Sequence, residues 1–201
     1  MAVSNTTIKR LPVYLQYLKQ LPADTENISA TAIANGLRLG AVQVRKDLSG
    51  VSGEGRPRVG YNVESLIASL EKALGYNEKS TAVLVGAGKL GGALLGYKGF
   101  EEYGLHIVAA FDMNPEKAGT EEGGKPIYAM EDFQRFCKRR KIKIGIITTG
   151  AGAAQSVCDL MVESGIKAIW NFAPVHLDSH GVPLRSENMA ASLAMLLNQL
   201  N

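Results

Sequence analysis

Residues 81–94 read TAVLVGAGKLGGAL, an apolar strand pattern that leads through three spaced glycines into a helix pattern. In this Gly-x-Gly-x-x-Gly motif, Gly86 suits a tight turn, Gly88 lets the backbone approach a pyrophosphate, and Gly91 lets the helix pack closely on the strand. The N-terminus of such a helix favours anions through its unpaired N–H groups and its dipole. The stretch therefore predicts the first strand, turn and helix of a Rossmann nucleotide-binding domain.

A second apolar strand pattern, residues 107–111, ends in Asp112. An acidic side chain at this place accepts hydrogen bonds from the hydroxyls of the adenosine ribose and repels a 2′-phosphate. The alternative is a glycine turn followed by an unrelated surface aspartate. Because strand, glycines, helix, second strand and acid occur in the required order, the sequence favours NAD over NADP as the ligand.

The length of the chain limits the role of this nucleotide. Of the 201 residues, about 80 precede Thr81 and about 120 follow it, and a Rossmann unit uses nearly all of those that follow. No room remains for the separate substrate domain that most dehydrogenases carry. The function therefore depends on the residues in front of the nucleotide fold.

The composition is that of a soluble intracellular protein. Hydrophobic residues make up 46% of the chain, and no uncharged apolar run approaches the roughly 18 residues of a membrane span. The N-terminus lacks the layout of a signal peptide. Cys137 and Cys158 are too few for a disulfide framework and are interpreted as core or half-buried thiols. The net charge of +3 is only mildly basic and does not by itself indicate nucleic acid.

Two short helix patterns in the first 76 residues are typical of a helix-turn-helix. Ser29 is a good N-cap for a helix over 30–35 that Gly36 would end. A second helix is predicted over 41–49, with one apolar face made of Ala41, Val44 and Leu48 and an opposite, exposed face made of Gln43, Lys46 and Asp47. Gln43 and Lys46 suit base edges in a major groove, whereas Arg45 is better placed for a phosphate.

The next segment, residues 50–63, is rich in Gly and Pro and predicts a hairpin wing with Arg56 and Arg58 at its tip. These arginines could reach a neighbouring minor groove or its phosphates. Basic residues exceed acidic ones by three over residues 36–60: Arg38, Arg45, Lys46, Arg56 and Arg58 against Asp47 and Glu54. The alternative is a small helical domain with ordinary surface charge.

Seven segments along nearly the whole chain resemble the Rex family of redox-sensing transcriptional repressors. They are 10–15 (RLPVYL), 44–48 (VRKDL), 60–63 (GYNV), 85–94 (VGAGKLGGAL), 96–100 (GYKGF), 111–112 (FD) and 171–174 (NFAP). The resemblance implies an α/β protein with an N-terminal winged helix-turn-helix domain over 1–77. A Rossmann NAD-binding domain over 78–185 and an exchanged C-terminal dimerisation helix over 186–201 follow. It also implies a homodimer that represses fermentative and anaerobic-respiration genes according to the NADH/NAD⁺ ratio in the bacterial cytoplasm.

The resemblance also implies two sets of binding residues. The expected contacts to NADH or NAD⁺ are Gly86, Ala87, Gly88, Lys89, Leu90, Gly91, Tyr97, Asp112, Met113, Thr148, Thr149, Gly150, Asn171, Phe172 and Ala173. The expected contacts to operator DNA are Arg10, Gln43, Arg45, Lys46, Arg56, Arg58 and Tyr61. A pocket of Tyr97, Phe172 and Ala173 would favour the neutral reduced nicotinamide, because burial of an unpaired charge is costly.

One departure from the family concerns the start of the last helix. Many members carry Val-Asp-Leu there, and the Asp forms a charge pair that switches with redox state. This chain has Glu187-Asn188-Met189, so Asn188 lacks that charge. Either Glu187 substitutes for it or the protein switches without the pair.

The last helix pattern, residues 189–200, is apolar on nearly every side. Such a helix is expected to be buried on several faces. Burial between two subunits is the simplest solution, and packing on its own Rossmann sheet is the alternative.

No residue pattern indicates catalysis or metal binding. His106, His176 and His180 stand apart without a partnered Cys or Asp, and we interpret them as structural or surface residues. The basic run 138–141 is expected at a solvated helix C-terminus. Two other classes stay open, namely a small NAD-dependent oxidoreductase with a helical extension and a DNA-binding regulator that senses another nucleotide such as a CoA derivative.

Overall fold

The computed structural model describes residues 3–200, and the chain divides into two compact units, one running to Glu78 and the other beginning at Lys79. None of the helices within this range is long and apolar enough to cross a membrane. Each unit has its own hydrophobic core.

The first unit is helical with one small antiparallel sheet. Its helices are α1 Asn5–Ile8, α2 Leu11–Lys19, α3 Ala30–Leu37, α4 Ala41–Ser52 and α5 Val63–Leu74. Its strands, β1 Asn27–Ile28 and β2 Tyr61–Asn62, pair with each other. The apolar faces of the helices meet in one core, whose fully buried members include Leu11, Tyr14, Ile33, Leu48 and Leu66. The predicted helix-turn-helix is the pair α3 and α4.

The predicted C-terminal ends of α3 and α4 were both wrong. Gly36 does not end α3, which continues to Leu37 and closes at Arg38 in the left-handed conformation with φ 55°. The glycine is needed for packing instead, because a Cβ on Gly36 would lie 2.4 Å from Oη of Tyr17 on α2. Helix α4 runs past the predicted end at Ser49, through Gly50, to Ser52.

The predicted hairpin wing is reduced to a tight turn. Arg56 and Gly60 exchange two backbone hydrogen bonds of 2.8 Å each, and this pair of residues forms a single antiparallel bridge. The strand after the turn pairs with β1 rather than with a second arm of the wing. Gly60 has φ 90°, and a Cβ there would lie 2.3 Å from the carbonyl oxygen of Ile28. A larger residue at Gly60 would therefore push the turn off the small sheet.

The second unit is a seven-stranded sheet in the order β5-β6-β4-β3-β7-β8-β9. The strands are β3 Ser80–Val85, β4 Leu105–Asp112, β5 Glu121–Glu122, β6 Lys125–Ala129, β7 Ile144–Ile147, β8 Ala168–Asn171 and β9 Leu184–Ser186. The α-helices are α6 Lys89–Gly96, α7 Phe133–Arg140, α8 Ala151–Glu163 and α9 Met189–Asn198, and two 3₁₀ helices span Lys98–Tyr103 and Met130–Asp132. All neighbouring strands are parallel except β5 and β6. This confirms the predicted Rossmann fold class.

The strand order places a switch point between β3 and β7, where successive connections leave in opposite directions. In open sheets of this kind the ligand cleft lies beyond the carboxyl ends of the strands at such a point. Val83 and Val85 belong to the core on one face of the sheet, and Ala82 and Leu84 to the core on the other. This alternation follows from the two-residue period of a strand.

Several minor predictions are confirmed. Cys137 and Cys158 are buried thiols, and Lys138, Arg139 and Arg140 of the predicted basic run lie in the last turn of α7. The alternative that the C-terminal helix packs on its own sheet was wrong, because no residue of α9 is buried in the single chain.

Candidate nucleotide and nucleic-acid sites

The three glycines of the motif meet different surroundings at the end of β3. Gly86 has φ 102°, and a Cβ there would lie 3.0 Å from the backbone of Thr148 and Thr149. A Cβ on Gly91 would lie 2.0 Å from the carbonyl oxygen of Gly86, which only a glycine avoids. By contrast, no heavy atom lies within 4 Å of a Cβ position on Gly88. The fold thus requires Gly86 and Gly91, while Gly88 leaves open space in front of α6.

Two helices begin at the carboxyl ends of the two strands that flank the switch point. Gly88 is the N-cap of α6 and Gly150 is the N-cap of α8, and in the described part of the chain neither first turn has a side-chain cap. Unpaired N–H groups and the helix dipole make such ends suited to phosphate. Lys89 and Leu90, both exposed, occupy the first turn of α6.

Thr148 ties the two loops together across the switch point. Its hydroxyl lies within donating distance of the carbonyl oxygens of Val85 (3.0 Å) and Gly86 (2.8 Å), and its N–H donates to Val85 at 2.9 Å. The hydroxyl is therefore used inside the protein rather than left for a ligand. Thr149 differs, because its buried Oγ1 has no hydrogen-bond partner among the described residues. A buried polar atom left unpaired is costly. The Thr149 hydroxyl is therefore suited to form a hydrogen bond with a bound ligand.

Asp112 ends β4 and supports the glycine loop. Its Oδ2 accepts the N–H of Ala87 at 2.7 Å, and its Oδ1 accepts the N–H of Asn114 at 2.9 Å. Ala87 is only 1% exposed, and its carbonyl oxygen accepts a hydrogen bond from Nζ of Lys117. The side chain of Ala87 is thus buried and both its backbone groups are paired within the protein, and its contact with the ligand stays a prediction. Met113, next to Asp112, is 79% exposed.

The loop after β8 is held by Asn171. Its Oδ1 accepts the N–H of Ala173 at 2.9 Å, and its Nδ2 lies 3.2 Å from the carbonyl oxygens of Ala173 and Val175 and from Oγ of Ser186. The amide is fully buried. Asn171 therefore positions the following loop, and Ala173 is itself buried; a cofactor contact by either residue stays a prediction.

A chain of aromatic rings joins Tyr97 to β8. Tyr97 is half exposed and meets Phe100 edge-on with centroids 4.8 Å apart. Phe100 in turn meets Trp170 at 5.6 Å, and Trp170 meets Phe172 at 4.8 Å. The rings thus connect the segment after α6 with the strand end expected at the nicotinamide side.

The residues at the start of α9 have partners within the chain. Nε1 of Trp170 donates to Oε1 of Glu187 at 2.9 Å. Asn188 is the N-cap of α9, and its Oδ1 accepts the N–H of Ala191 at 2.9 Å. Asn and Asp cap helices about equally well. Asn188 therefore caps α9 as an Asp would, but without the charge.

In the first unit, α4 presents a polar face to a groove of about 650 Å³. From α4 the groove is lined by Val42, Arg45, Lys46 and Ser49. Its remaining walls are the N-terminal end of α3 and the turn after α4, which contribute Ser29, Ala30, Thr31, Glu54, Gly55, Arg56, Pro57, Arg58, Gly60 and Tyr61. The structure thus brings together four predicted cations from segments up to 13 positions apart, namely Arg45, Lys46, Arg56 and Arg58.

Asp47 was wrongly predicted to lie on the exposed face of this helix. It is only 3% exposed and accepts five hydrogen bonds. The donors are Arg10 Nε (2.6 Å) and Nη2 (2.8 Å), Tyr14 Oη (2.8 Å), Gln43 Nε2 (2.9 Å) and Thr7 Oγ1 (3.1 Å). Burial alone would raise the pKa of Asp47, but these hydrogen bonds outweigh it and lower the pKa to about 2. Asp47 thus engages two of the predicted DNA contacts, Arg10 and Gln43, which support α4, and their contact with DNA stays a prediction.

Tyr61 also supports the site rather than lining an exposed part of it. The residue is only 8% exposed and lies on β2. Its ring sits under the turn, because a Cβ on Gly55 would lie 2.9 Å from its Cε2. Tyr61 is nonetheless part of the groove wall, and its contact with DNA stays a prediction. Arg58 has φ 63°, a conformation that costs a non-glycine residue free energy and tends to occur at functional sites.

Sequence reasoning missed three residues that the structure brings into the sites. Val42 is exposed in the groove, Lys117 holds the glycine loop, and Trp170 holds Glu187. Val42 could have been found, because it falls on the same helical face as Arg45 and Lys46. For Lys117 and Trp170 no local pattern carries the signal, since their partners lie 30 and 17 positions away.

Comparisons with known proteins agree with this division. The family model described as "Putative DNA-binding protein N-terminus" matches residues 2–49, and the one described as "CoA binding domain" matches residues 77–175. The redox-sensing transcriptional repressor Rex of Porphyromonas gingivalis is 42% identical over 98% of this chain and 92% of its own. That of Bacteroides fragilis is 42% identical over 99% and 91%.

Solved structures of RSP, a Rex-family repressor, are also similar. The complex of RSP with β-NAD⁺ and operator DNA superimposes with a TM-score of 0.94 at 35% identity, covering 100% of this chain and 94% of that one. The complex with β-NADH gives a TM-score of 0.89 at 35% identity over 100% and 95%.

Proposed function

The chain belongs to the Rex family of redox-sensing transcriptional repressors, and we propose that it binds operator DNA as a homodimer and releases it when NADH binds. The observation that carries this is the presence, in one chain, of a cationic groove beside a helix-turn-helix and a phosphate-suited loop at the switch point of a Rossmann sheet. RSP has been solved with β-NAD⁺ and operator DNA and with β-NADH.

The glycine loop supports nucleotide binding through Gly88 and the N-termini of α6 and α8. The open space at Gly88 suits a pyrophosphate, and the adjoining N–H groups of Lys89 and Leu90 suit its charge. Asp112 holds the loop and keeps acceptor capacity for ribose hydroxyls, because a carboxylate has about four lone-pair sites and only two are used by backbone N–H groups. Its negative charge disfavours a 2′-phosphate and therefore favours NADH over NADPH.

Discrimination between the redox states rests on the charge of the nicotinamide. The oxidised ring is positive and the reduced ring is neutral. Tyr97 and Phe172 offer aromatic surface, and the Glu187 carboxylate next along this chain of rings is already engaged by Trp170. Transfer of an unpaired charge into such surroundings is unfavourable. NADH is therefore expected to bind more tightly than NAD⁺, and only such a difference in affinity can shift the protein between states.

Helix α9 supports the dimer. Its large apolar side chains are half or more exposed in the single chain, for example Met189 (66%), Met195 (70%) and Leu196 (58%). Contiguous apolar surface of this kind marks an interaction site. A second copy of the chain that covers it would also place two DNA-binding units at the spacing that a palindromic operator requires.

We further propose that the protein is a regulator without catalytic turnover and acts in the bacterial cytoplasm, where its operators are. In the described chain His180 pairs with Asp159 and Asp178 on the surface, and His106 and His176 carry no partner that would make them an acid or base for hydride transfer. A second candidate ligand is a CoA derivative, which the match of residues 77–175 to a CoA-binding family model favours.

The test is a gel shift on a palindromic operator selected in vitro from a random pool, with NADH and NAD⁺ titrated separately. NADH is expected to release the DNA at a lower concentration than NAD⁺. Release by CoA and not by NADH would support the second candidate. Steady oxidation of NADH with small carbonyl compounds would instead indicate an oxidoreductase.

A further inference from the structure

The one large apolar side chain on the α4 wall of the groove, among the described residues, is Val42, which is 81% exposed. An isolated exposed valine is ordinary on a protein surface. This one lies in the first turn of α4, and the helical repeat puts it on the same face as Arg45, three positions on, and Lys46, four positions on. The valine methyl groups therefore share a surface with two cations that suit nucleic acid.

The position within the helix is informative. A recognition helix contacts base edges in the major groove through its N-terminal residues. Val42 is the second residue of α4, and Ala41 before it is half-buried. Val42 is thus the first exposed side chain of the helix and stands where a base edge would come closest.

An exposed valine at such a position selects for one chemical group. The edges of the bases in the major groove carry hydrogen-bond donors and acceptors, and the single apolar group among them is the C5-methyl of thymine. The side chain of valine can neither donate nor accept a hydrogen bond. We propose that Val42 contacts the C5-methyl group of a thymine in each operator half-site and so determines which base is preferred there.

This inference rests on the proposed function, and the two can fail separately. The groove supplies phosphate and hydrogen-bonding contacts through Arg45, Lys46, Arg56 and Arg58 whether or not Val42 meets a methyl group. Phosphate contacts determine affinity and its dependence on salt, whereas contacts to base edges determine sequence preference. Val42 is therefore expected to affect the preference for thymine at one position and to leave the salt dependence unchanged.

The test replaces thymine by deoxyuridine, which differs only by the C5-methyl, at one symmetric pair of positions after another in the selected operator. With the wild-type chain we expect one pair at which the replacement weakens binding, by about fourfold per half-site and on the order of tenfold for both. V42A is expected to bind the thymine and deoxyuridine operators equally at that pair. V42T keeps one methyl group and should retain part of the discrimination.

The matched control is V13A, which shortens another exposed valine, on α2 and outside the groove, and should keep the wild-type discrimination. Because Val42 is exposed and Ala favours helix, V42A is expected to fold normally, and a wild-type urea midpoint of the first unit checks this. If wild-type protein binds the operator and releases it with NADH but senses no deoxyuridine, the inference is wrong and the proposed function stands. The inference would also be overturned if V42A bound both operators more weakly than the wild type by the same factor and so kept the preference for thymine, since Val42 would then contact the sugar.

Discussion

Arg10, the N-cap of α2, holds Asp47 on α4 through two hydrogen bonds, Nε to Oδ2 at 2.6 Å and Nη2 to Oδ1 at 2.8 Å. The carboxylate is buried and also accepts from Tyr14 and Gln43, so it links the first long helix to the helix that carries the groove cations. A buried ion pair of this kind adds little net stability over an apolar pair, but removal of one partner is costly. The pair therefore positions α4 relative to α2.

We expect D47A to destabilise the first unit by about 1–3 kcal/mol, because the buried hydroxyl of Tyr14 would lose its acceptor. DNA binding should fall with it, while NADH binding in the second unit should persist. D47N keeps the shape and part of the hydrogen bonding and should cost less. A D47A protein with wild-type urea stability and wild-type operator affinity would show that the network is dispensable.

The same carboxylate predicts a pH dependence. The hydrogen bonds lower the pKa of Asp47 to about 2 in the folded chain, and an unfolded aspartate has a pKa of about 3.9. The contribution to stability is therefore complete above about pH 4 and is lost as the pH falls through about 2. Urea midpoints measured between pH 5 and 2 should decline more steeply for the wild type than for D47N.

Two glycine variants separate folding from ligand binding. In G91A the new Cβ would meet the carbonyl oxygen of Gly86 at 2.0 Å, so both thermal stability and NADH affinity should fall. In G88A the Cβ would meet no atom of the chain within 4 Å, so stability should be unchanged. If a pyrophosphate lies there, G88A should still lose NADH affinity, which fluorescence titration would measure. Unimpaired binding by G88A would place the phosphates elsewhere.

Asp112 is expected to set the preference for NADH. D112A should weaken NADH binding and reduce discrimination against NADPH, because the ribose loses an acceptor and the repulsion disappears. The structure adds that the N–H of Ala87 would also lose its acceptor, so the glycine loop should loosen. D112N, which keeps an acceptor but not the charge, separates the two effects. An unchanged NADH/NADPH ratio of dissociation constants in both variants would exclude this role.

The groove cations should contribute differently to DNA binding. K46A should abolish or relax sequence preference, at about 1–3 kcal/mol if Lys46 contacts a base, with NADH affinity intact. R58A should weaken binding to all sequences and flatten the salt dependence. R58G is the sharper control, because glycine relieves the left-handed backbone at φ 63° while removing the charge. Gel shifts at several salt concentrations that show neither effect would contradict the assignment of this groove to DNA.

Removal of residues 189–201 tests the role of α9. The truncated chain should dimerise poorly, bind NADH weakly and fail to release DNA in response to it. Its single DNA-binding unit could still contact a half-site, but without paired spacing the affinity should drop steeply. Sedimentation and gel shifts measure these effects. A truncated protein that remains a tight, NADH-responsive dimer would show that α9 has no part in the mechanism.

Most of the architecture could be predicted from the sequence because its signals are local. The strand ending at Val85, the glycines and Asp112 follow one another along the chain, and the alternation of apolar residues in β3 reports burial on both faces. The helix pair α3 and α4 was also predicted, but its ends were not. Gly36 lies inside α3, where Tyr17 from another helix fills the space that a side chain would need, and the helix ends instead at the left-handed Arg38.

Tertiary contacts decided which polar residues face outward. Asp47, Arg10 and Gln43 are polar side chains of the kind usually found on a surface. The Asp47 carboxylate is nevertheless buried, because five donors from α1, α2 with its N-cap, and α4 converge on it. Asn171 and Ala87 likewise lie in sequence motifs of the nucleotide site but are buried as supports of its loops. The sequence alone established the fold class, the ligand class and the cationic segments, since strand, helix and glycine patterns reflect neighbours along the chain. Which side chains remain exposed to a ligand was decided only by folding, because burial depends on partners that are distant in sequence.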